Sequence, residues 1–465
     1  MPVDRAAIRD AAKYLRSVRP IDPAEIREYV SDRPDARVVR QVLRESAIDL
    51  GLVERADGTF VPVSAGSIQP SFEGVTALPD RYGNVIEERL VDRFGPDWAT
   101  GESGDRLREV VRGFKADYHA GRSVEYDETV ALGYAIYHLP AYYAATQYVF
   151  WDLVRDGLLD RSPRVLDVGA GVGGPAMGLI DLLGADDDPA LIEYHAVEPS
   201  DAVSILRPLL ETTGPNVHWQ IHRSRAKDVD PAGPYDVILF SNVVSELSDP
   251  VAVVDEYRSH LAPDGSLVAV APADRETSLS LRSVERAVEQ RGATVYAPMV
   301  RLFPDVVPTV DVWSFDERQP IDLPDVQRRL GAPAERPEEF HHTAVRYSYS
   351  ILREDDARRY DVDASTRPVV PLGETTDHVT ERRDVVVAKL SRDLADDGHP
   401  VFTVSDGSER ERHFAVLVNE TELNRRLVSA EYGDLLAVEG ALVLWNEDEE
   451  AVNLVIDEET VVDPV

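Results

Sequence analysis

The feature that most constrains this chain is a short apolar run, Arg164-Val-Leu-Asp-Val, that breaks into Gly169-Ala-Gly-Val-Gly-Gly174 and then into a helical pattern. Glycines let a backbone turn tightly at a strand end and let a ligand approach it closely. The string satisfies G-x-G-x-x-G at Gly169, Gly171 and Gly174. Taken alone, that spacing also fits a dinucleotide site and does not decide the ligand. Around it, residues 159–355 alternate between strand and helix patterns. Strands are expected near 163–169, 191–197, 216–222, 235–241 and 265–271, and helices near 173–184, 200–212, 249–262 and 277–291. That alternation predicts an α/β domain, a mostly parallel Rossmann-like sheet covered on both faces. Two later strands, near 294–302 and 344–352, can close the sheet as an antiparallel pair. The proline- and acid-rich stretch 303–343 between them is expected to be irregular.

Three features bear on the ligand. Asp167 stands two residues before the first glycine, where a carboxylate would repel a pyrophosphate but suits the cationic amino-acid end of S-adenosylmethionine (SAM). The second strand ends in Val197-Glu-Pro-Ser200, which places Glu198 to accept from ribose hydroxyls, a feature shared with dinucleotide enzymes. The fourth strand ends in Ser241-Asn-Val-Val-Ser-Glu-Leu247, a polar cluster in the usual reaction zone of an open α/β sheet. The expected cofactor is therefore SAM. Its candidate binding residues are Asp167, Gly169, Ala170, Gly171, Gly173, Glu198, Pro199, Ser200, Asp228 and Asn242. Asp228 has two readings, an acceptor for the adenine amine or a helix cap. Asn242 and Glu246 are the candidate catalytic residues, the first to orient an amine and the second to take a proton. The bland reading of Glu246 is a helix-start carboxylate favoured by the dipole. The chain lacks the asparagine-proline-proline-aromatic signature of amino-group methylation, so its residues do not name a target atom.

Both flanks read as separate modules. Residues 1–64 show three helical patterns (Ala6–Val18, Asp22–Val30 and Asp35–Leu50) and two short strands around Asp57-Gly58, a winged-helix order. Arg37, Arg40 and Arg44 share a face of the third helix, either as phosphate contacts or as an ordinary solvated face. A linker, 65–81, leads to a helical segment, 82–158. After a second linker at 355–380, residues 381–465 read as three strands, a helix over Glu420–Ala430 and two strands, the order of an OB-like barrel. Phe402, His413 and Phe414 are either stacking residues for single-stranded nucleic acid or barrel core, and the core is expected to take at least two of them.

Composition removes several chemistries. The 465 residues include no cysteine, which excludes disulfides, thiolate zinc sites and an iron–sulfur cluster held by cysteine. His341-His342 lacks an evident third ligand, so no metal is expected. No apolar run approaches the ~20 residues of a membrane helix, and Met1-Pro-Val-Asp-Arg has no apolar signal stretch. A cytoplasmic protein without a membrane partner is expected. The net charge is −36, spread along the chain, with lysine only at 13, 115, 227 and 389. A global acid excess with so little lysine suggests a halophilic cytoplasm, where charge repulsion is screened over a few ångströms. The acidity then describes the solvent and does not exclude a nucleic-acid partner.

One combination of motifs is more specific. Tyr134…Leu139-Pro140…Tyr142 precedes Val165-Leu-Asp-Val-Gly-Ala-Gly171, and Val197-Glu-Pro-Ser200 and Ser241-Asn-Val-Val-Ser-Glu-Leu247 follow. Late segments Asp311-Val-Trp-Ser-Phe-Asp-Glu-Arg318 and Val345-Arg-Tyr-Ser-Tyr-Ser-Ile-Leu352 fit the same pattern. Over roughly 130–355 the chain resembles the Rsm-type methyltransferase-like family of the mitochondrial small ribosomal subunit, which has archaeal and bacterial members. The resemblance implies binding to the small ribosomal subunit or its rRNA, a role in subunit assembly and rRNA methylation. The alternatives are a SAM- and RNA-binding assembly factor without transfer, and a small-molecule methyltransferase. Many family members carry cluster-binding cysteines before the last strand. Here Ala297 through Phe315 has none, so packing or ion pairs must hold that region.

Overall fold

The computed structural model describes residues 4–31, 33–119, 127–304 and 306–465. Residues 1–3 of the N-terminal stretch and 120–126 of the helical segment lie outside them. The described chain forms two compact units. One comprises the N-terminal part through Leu239 together with 320–345, and the other 240–319 with 346–465.

The first unit opens with helices α1 (Arg5–Leu15), α2 (Pro23–Ile26), α3 (Ala36–Glu45) and α4 (Ala47–Leu50), then strands β1 (Leu52–Glu54) and β2 (Phe60–Pro62). Side chains of Asp4, Asp22 and Asp35 cap α1, α2 and α3, each a contribution of about 1 kcal/mol. The expected third helix is interrupted at Ser46, so 35–50 forms two helices. Gly58, at φ +82°, makes the turn between β1 and β2, and Asp57 accepts from the backbone and hydroxyl of Thr59. Ile21 and Phe60 exchange backbone hydrogen bonds and extend the hairpin by one bridge.

Four helices follow: α5 (Asp80–Phe94), α6 (Gly101–His119), α7 (Glu128–Tyr137) and α8 (Leu139–Arg155). Next come β3 (Arg164–Val168), α9 (Gly174–Leu183), β4 (Ile192–Val197), α10 (Val203–Glu211), β5 (Val217–His222) and β6 (Tyr235–Ser241). Strands β3, β4, β5 and β6 pair in parallel, and β3, β4 and β6 are nearly wholly buried, as their apolar runs require. The hairpin packs on this α/β part: Ala47, Val53, Val61 and Leu191 form one buried cluster. The Glu54 backbone and the Asn216 side chain exchange two hydrogen bonds, at 2.7 and 3.0 Å.

The second unit contains α11 (Pro250–Arg258), β7 (Leu261–Pro272), α12 (Arg275–Glu289), β8 (Thr294–Ala297), β9 (Asp316–Arg318) and β10 (Val345–Arg353). Strand β10 runs antiparallel to both β7 and β8. The whole sheet has the order β5-β4-β3-β6-β7-β10-β8, with β9 on β10. The order reverses between β3 and β6, the position at which open α/β sheets take ligands at their carboxyl ends. The stretch 303–343, expected to be irregular, holds β9 and a helix at Asp325–Gly331. That helix is secured by Gln327, whose fully buried amide donates to the carbonyls of Ile136 and Tyr137.

Residues 297–315, where the resembled family carries cysteines, are held by a buried ion-pair network. Arg301 makes a two-pronged contact with Glu289 at 2.8 and 2.7 Å and lies 3.8 Å from Glu285, which pairs with Arg282 at 2.5 Å. Gly407 sits against this segment at φ +83°, and a Cβ there would stand 2.3 Å from the Val300 carbonyl.

The last strands are β11 (Arg382–Lys389), β12 (Val401–Ser405), β13 (Arg412–Leu417), β14 (Leu435–Asn446), β15 (Ala451–Ile456) and β16 (Val461–Pro464). The first five close a barrel in the order β11-β12-β13-β15-β14, with β11 paired to β14, β13 parallel to β15 and β16 added outside on β14. The expected helix over 420–430 is only a turn at Arg426–Ser429. Phe402 and His413 are buried, and Phe414 is half-buried. His413 bonds the Thr375 hydroxyl and the Glu411 carbonyl. Two of the three candidate stacking residues are therefore barrel interior.

Among the described residues, no helix is long and apolar enough to cross a membrane.

Candidate cofactor site

The glycine turn joins β3 to α9 through three residues at positive φ: Gly169 (76°), Gly171 (54°) and Gly173 (91°). Only glycine takes such a succession without strain. The turn is tied to the end of β4 at several points. Gly169 and Ala170 N–H donate to the Val197 carbonyl at 2.8 and 3.2 Å. Gly171 N–H donates to Glu198 Oε2 at 2.8 Å, and Ser200 N–H donates to Glu198 Oε1 at 2.9 Å. Glu198 thus braces the turn through both oxygens, and a ribose must use their remaining lone pairs. Pro199 is exposed beside it, and Ser200 Oγ accepts from Ala202 N–H.

Asp167 is the central charge. It is fully buried, Oδ2 accepts from the Tyr194 hydroxyl at 2.6 Å, and Oδ1 is buried without a hydrogen-bond partner. Burial pushes its carboxyl up to about 7; the Tyr194 bond opposes the shift and the nearby Glu198 adds to it. A buried carboxylate oxygen with no donor is costly, and a cationic ligand group would satisfy it. The residues therefore fit the amino-acid end of SAM.

Helix α8 closes in on the same turn. A Cβ on Gly174 would stand 2.8 Å from the Leu139 carbonyl, and one on Gly178 would stand 2.3 Å from the Tyr143 carbonyl. The Leu139-Pro140 motif therefore lies directly against the start of α9. Half-buried Tyr134, His138 and Tyr142 form a ring ladder along this helix pair, with His138 stacked on Tyr142 at 5.4 Å. His342 stacks on Tyr137 at 4.8 Å and bonds its carbonyl. That is a structural task for one of the paired histidines.

Asp228 is exposed at the end of a short 3-10 turn, Ala226–Asp228, and caps no helix. His222 pairs with His195 at 3.3 Å, and its carbonyl accepts from Glu198 N–H. Sequence reasoning missed Tyr194, a tyrosine inside an apolar parallel strand. It also missed His195.

Asn242 and Glu246 belong to the second unit. Asn242 adopts φ 57°, a left-handed conformation uncommon outside glycine and asparagine. Its N–H donates to Val270, its amide donates to Ser241, and its Oδ1 is buried without a partner. Glu246 is exposed and ends a 3-10 turn, Val244–Glu246; Asp249, not Glu246, caps α11.

Residues 143–301 match a family described as "Methyltransferase domain". This part of the chain has the α/β methyltransferase fold with a Rossmann-like sheet. Residues 5–56 and 373–465 match the N-terminal and C-terminal domains of a family described as "Domain of unknown function (DUF8157)". No curated protein matches the chain in sequence. Among solved structures, the mitomycin 7-O-methyltransferase MmcR is 14% identical, with 63% of this chain and 88% of that one covered and a TM-score of 0.29. The plantazolicin methyltransferase BpumL, solved with SAH, is 10% identical, with 59% and 98% covered and a TM-score of 0.29. A SAM-dependent methyltransferase from Aquifex aeolicus is 21% identical, with 30% and 76% covered and a TM-score of 0.25. The domain assignment rests on the family match and the strand order.

Proposed function

We propose that the chain is a SAM-dependent methyltransferase whose cofactor lies on the 169–173 turn. The observation that carries the proposal is Asp167 Oδ1, buried without a donor beside a glycine turn braced by Glu198. Asp167 would hold the cofactor's ammonium, Glu198 its ribose and exposed Asp228 its adenine amine. SAM supplies an electrophilic methyl group when bound. The protein's share of the chemistry is alignment, because methyl transfer needs the acceptor close to the methyl and in line with the leaving sulfur. Asn242 and Glu246 are the candidates to orient the acceptor and take its proton.

For the substrate, the resemblance of 130–355 supports small-subunit rRNA, with assembly of that subunit as the setting. The N-terminal helices with the Ile21–Phe60 bridge support a winged-helix module. The five-stranded order with its parallel β13–β15 pair supports an OB-like barrel. The obvious contact groups are nevertheless engaged within the protein. Arg40 and Arg44 converge on Glu54, and Arg37 pairs with Asp35, whose carboxyl it holds at about 2. The barrel segment 381–465 carries 21 acidic and 8 basic residues. RNA contact through these surfaces would therefore need molar salt to screen the acids or displacement of the internal ion pairs.

The test uses full-length protein in molar salt with methyl-labelled SAM. One sample receives immature small subunits and another a small-molecule extract. Label in rRNA supports the proposal. Binding of both SAM and subunits without transfer supports an assembly factor, and label only in small molecules supports a small-molecule methyltransferase.

A further inference from the structure

The two oxygens of Asp167 have different surroundings, and the structure contains the group that sets them apart. Tyr194 is fully buried on β4, in the strand register Val165↔Tyr194 and Asp167↔Ala196. Its hydroxyl therefore reaches diagonally across the β3–β4 pair to Oδ2 at 2.6 Å. Oδ1 receives no donor among the described residues. The neighbour on the other side, Leu239 of β6, carries no polar group, and the remaining titratable neighbour is Glu198, an acid. Tyrosine is itself driven well above its ordinary ionisation by burial and by Asp167, so it stays a donor.

We propose that Tyr194 is a positioning residue, which clamps one oxygen of Asp167 and leaves the other for the ammonium of the cofactor's amino-acid end. This rests on the proposed SAM site. A hydrogen bond to a charged group contributes more than one between neutral groups, so losing it weakens the carboxylate as a cation ligand. The effect is confined to ligands that carry the ammonium.

The test compares SAM with 5′-methylthioadenosine, which keeps the adenosine and sulfur but lacks the amino-acid end. Calorimetry on full-length Tyr194→Phe is expected to show SAM binding about tenfold weaker, with methylthioadenosine within about twofold of the unmodified protein. The same change removes a bond that favours the ionised carboxyl, so the pH midpoint of SAM affinity moves upward. Asp167→Asn gives the same ligand selectivity, and adding Tyr194→Phe to it costs nothing further. Equal losses for both ligands, an unmoved midpoint or additive losses in the double variant overturn the proposal. If the unmodified protein binds methylthioadenosine but not SAM, the proposal fails while an adenosine site survives. If it binds neither, the proposed function fails with it.

Discussion

Asp167 makes a quantitative demand on the pH dependence of cofactor binding. With a carboxyl that titrates at about 7, the empty site is largely protonated at lower pH, whereas holding an ammonium requires the ionised form. Apparent affinity then scales with the ionised fraction. It rises about eightfold from about pH 6 to about pH 7.5, a window below the ordinary ionisation of an α-amino group. Isothermal titration calorimetry in buffers of different ionisation enthalpy reads the same event as a released proton near pH 6. Asp167→Asn flattens the profile. Stability follows the opposite sense. The folded carboxyl titrates at about 7 against an ordinary 3.8, so its stabilising contribution is fully present below 3.8 and lost as pH rises through about 7. At most about 4 kcal/mol is at stake. Asp167→Asn should therefore raise the Tm of ligand-free protein at pH 8 while it weakens SAM binding. Affinity that stays flat from pH 6 to 7.5 in the unmodified protein would refute this reasoning.

Three further expectations follow from the packing. Gly178→Ala forces a methyl against the Tyr143 carbonyl, so helices α8 and α9 must part; a loss of about 1–3 kcal/mol should lower the melting temperature. Arg301→Ala removes the buried cation between half-buried Glu289 and buried Glu285, which keeps Arg282, and should cost about 1–3 kcal/mol in denaturant titrations. Glu198→Gln cannot accept through both side-chain termini, so the bond to either Gly171 or Ser200 is lost. Amide exchange at one of these residues should rise, and SAM affinity should fall by about tenfold or more.

The four parallel strands β3, β4, β5 and β6 are legible to within a residue because they are runs of strand-forming residues bounded by breaks, whereas the strand expected over 294–302 stops at Ala297. Strand β7 was read short: it starts at Leu261, and Ala262-Pro-Asp-Gly265 looks like a turn. The barrel helix failed for a polar reason. Asn424 is fully buried, bonding the carbonyls of Asn419 and Asp457, and so draws the chain out of a helix that its neighbours' spacing favours. The helix at Asp325–Gly331 depends on Gln327 reaching residues about 190 positions away, which periodicity cannot register. At the site, the glycines, Asp167 and Glu198 could be named from local pattern. Tyr194 could not, because its place beside Asp167 is set by the register of β4 on β3. The arginine face on α3 was visible, but its neutralisation by Glu54 comes from the hairpin folding back.

The central claim is that the 169–173 turn binds SAM. Equilibrium dialysis of the full-length protein with labelled SAM at about pH 7.5 tests it most directly. The account predicts one equivalent bound, displaced by S-adenosylhomocysteine and not by NAD, and greatly reduced in Asp167→Asn. Displacement by NAD, or binding that ignores Asp167, would contradict it.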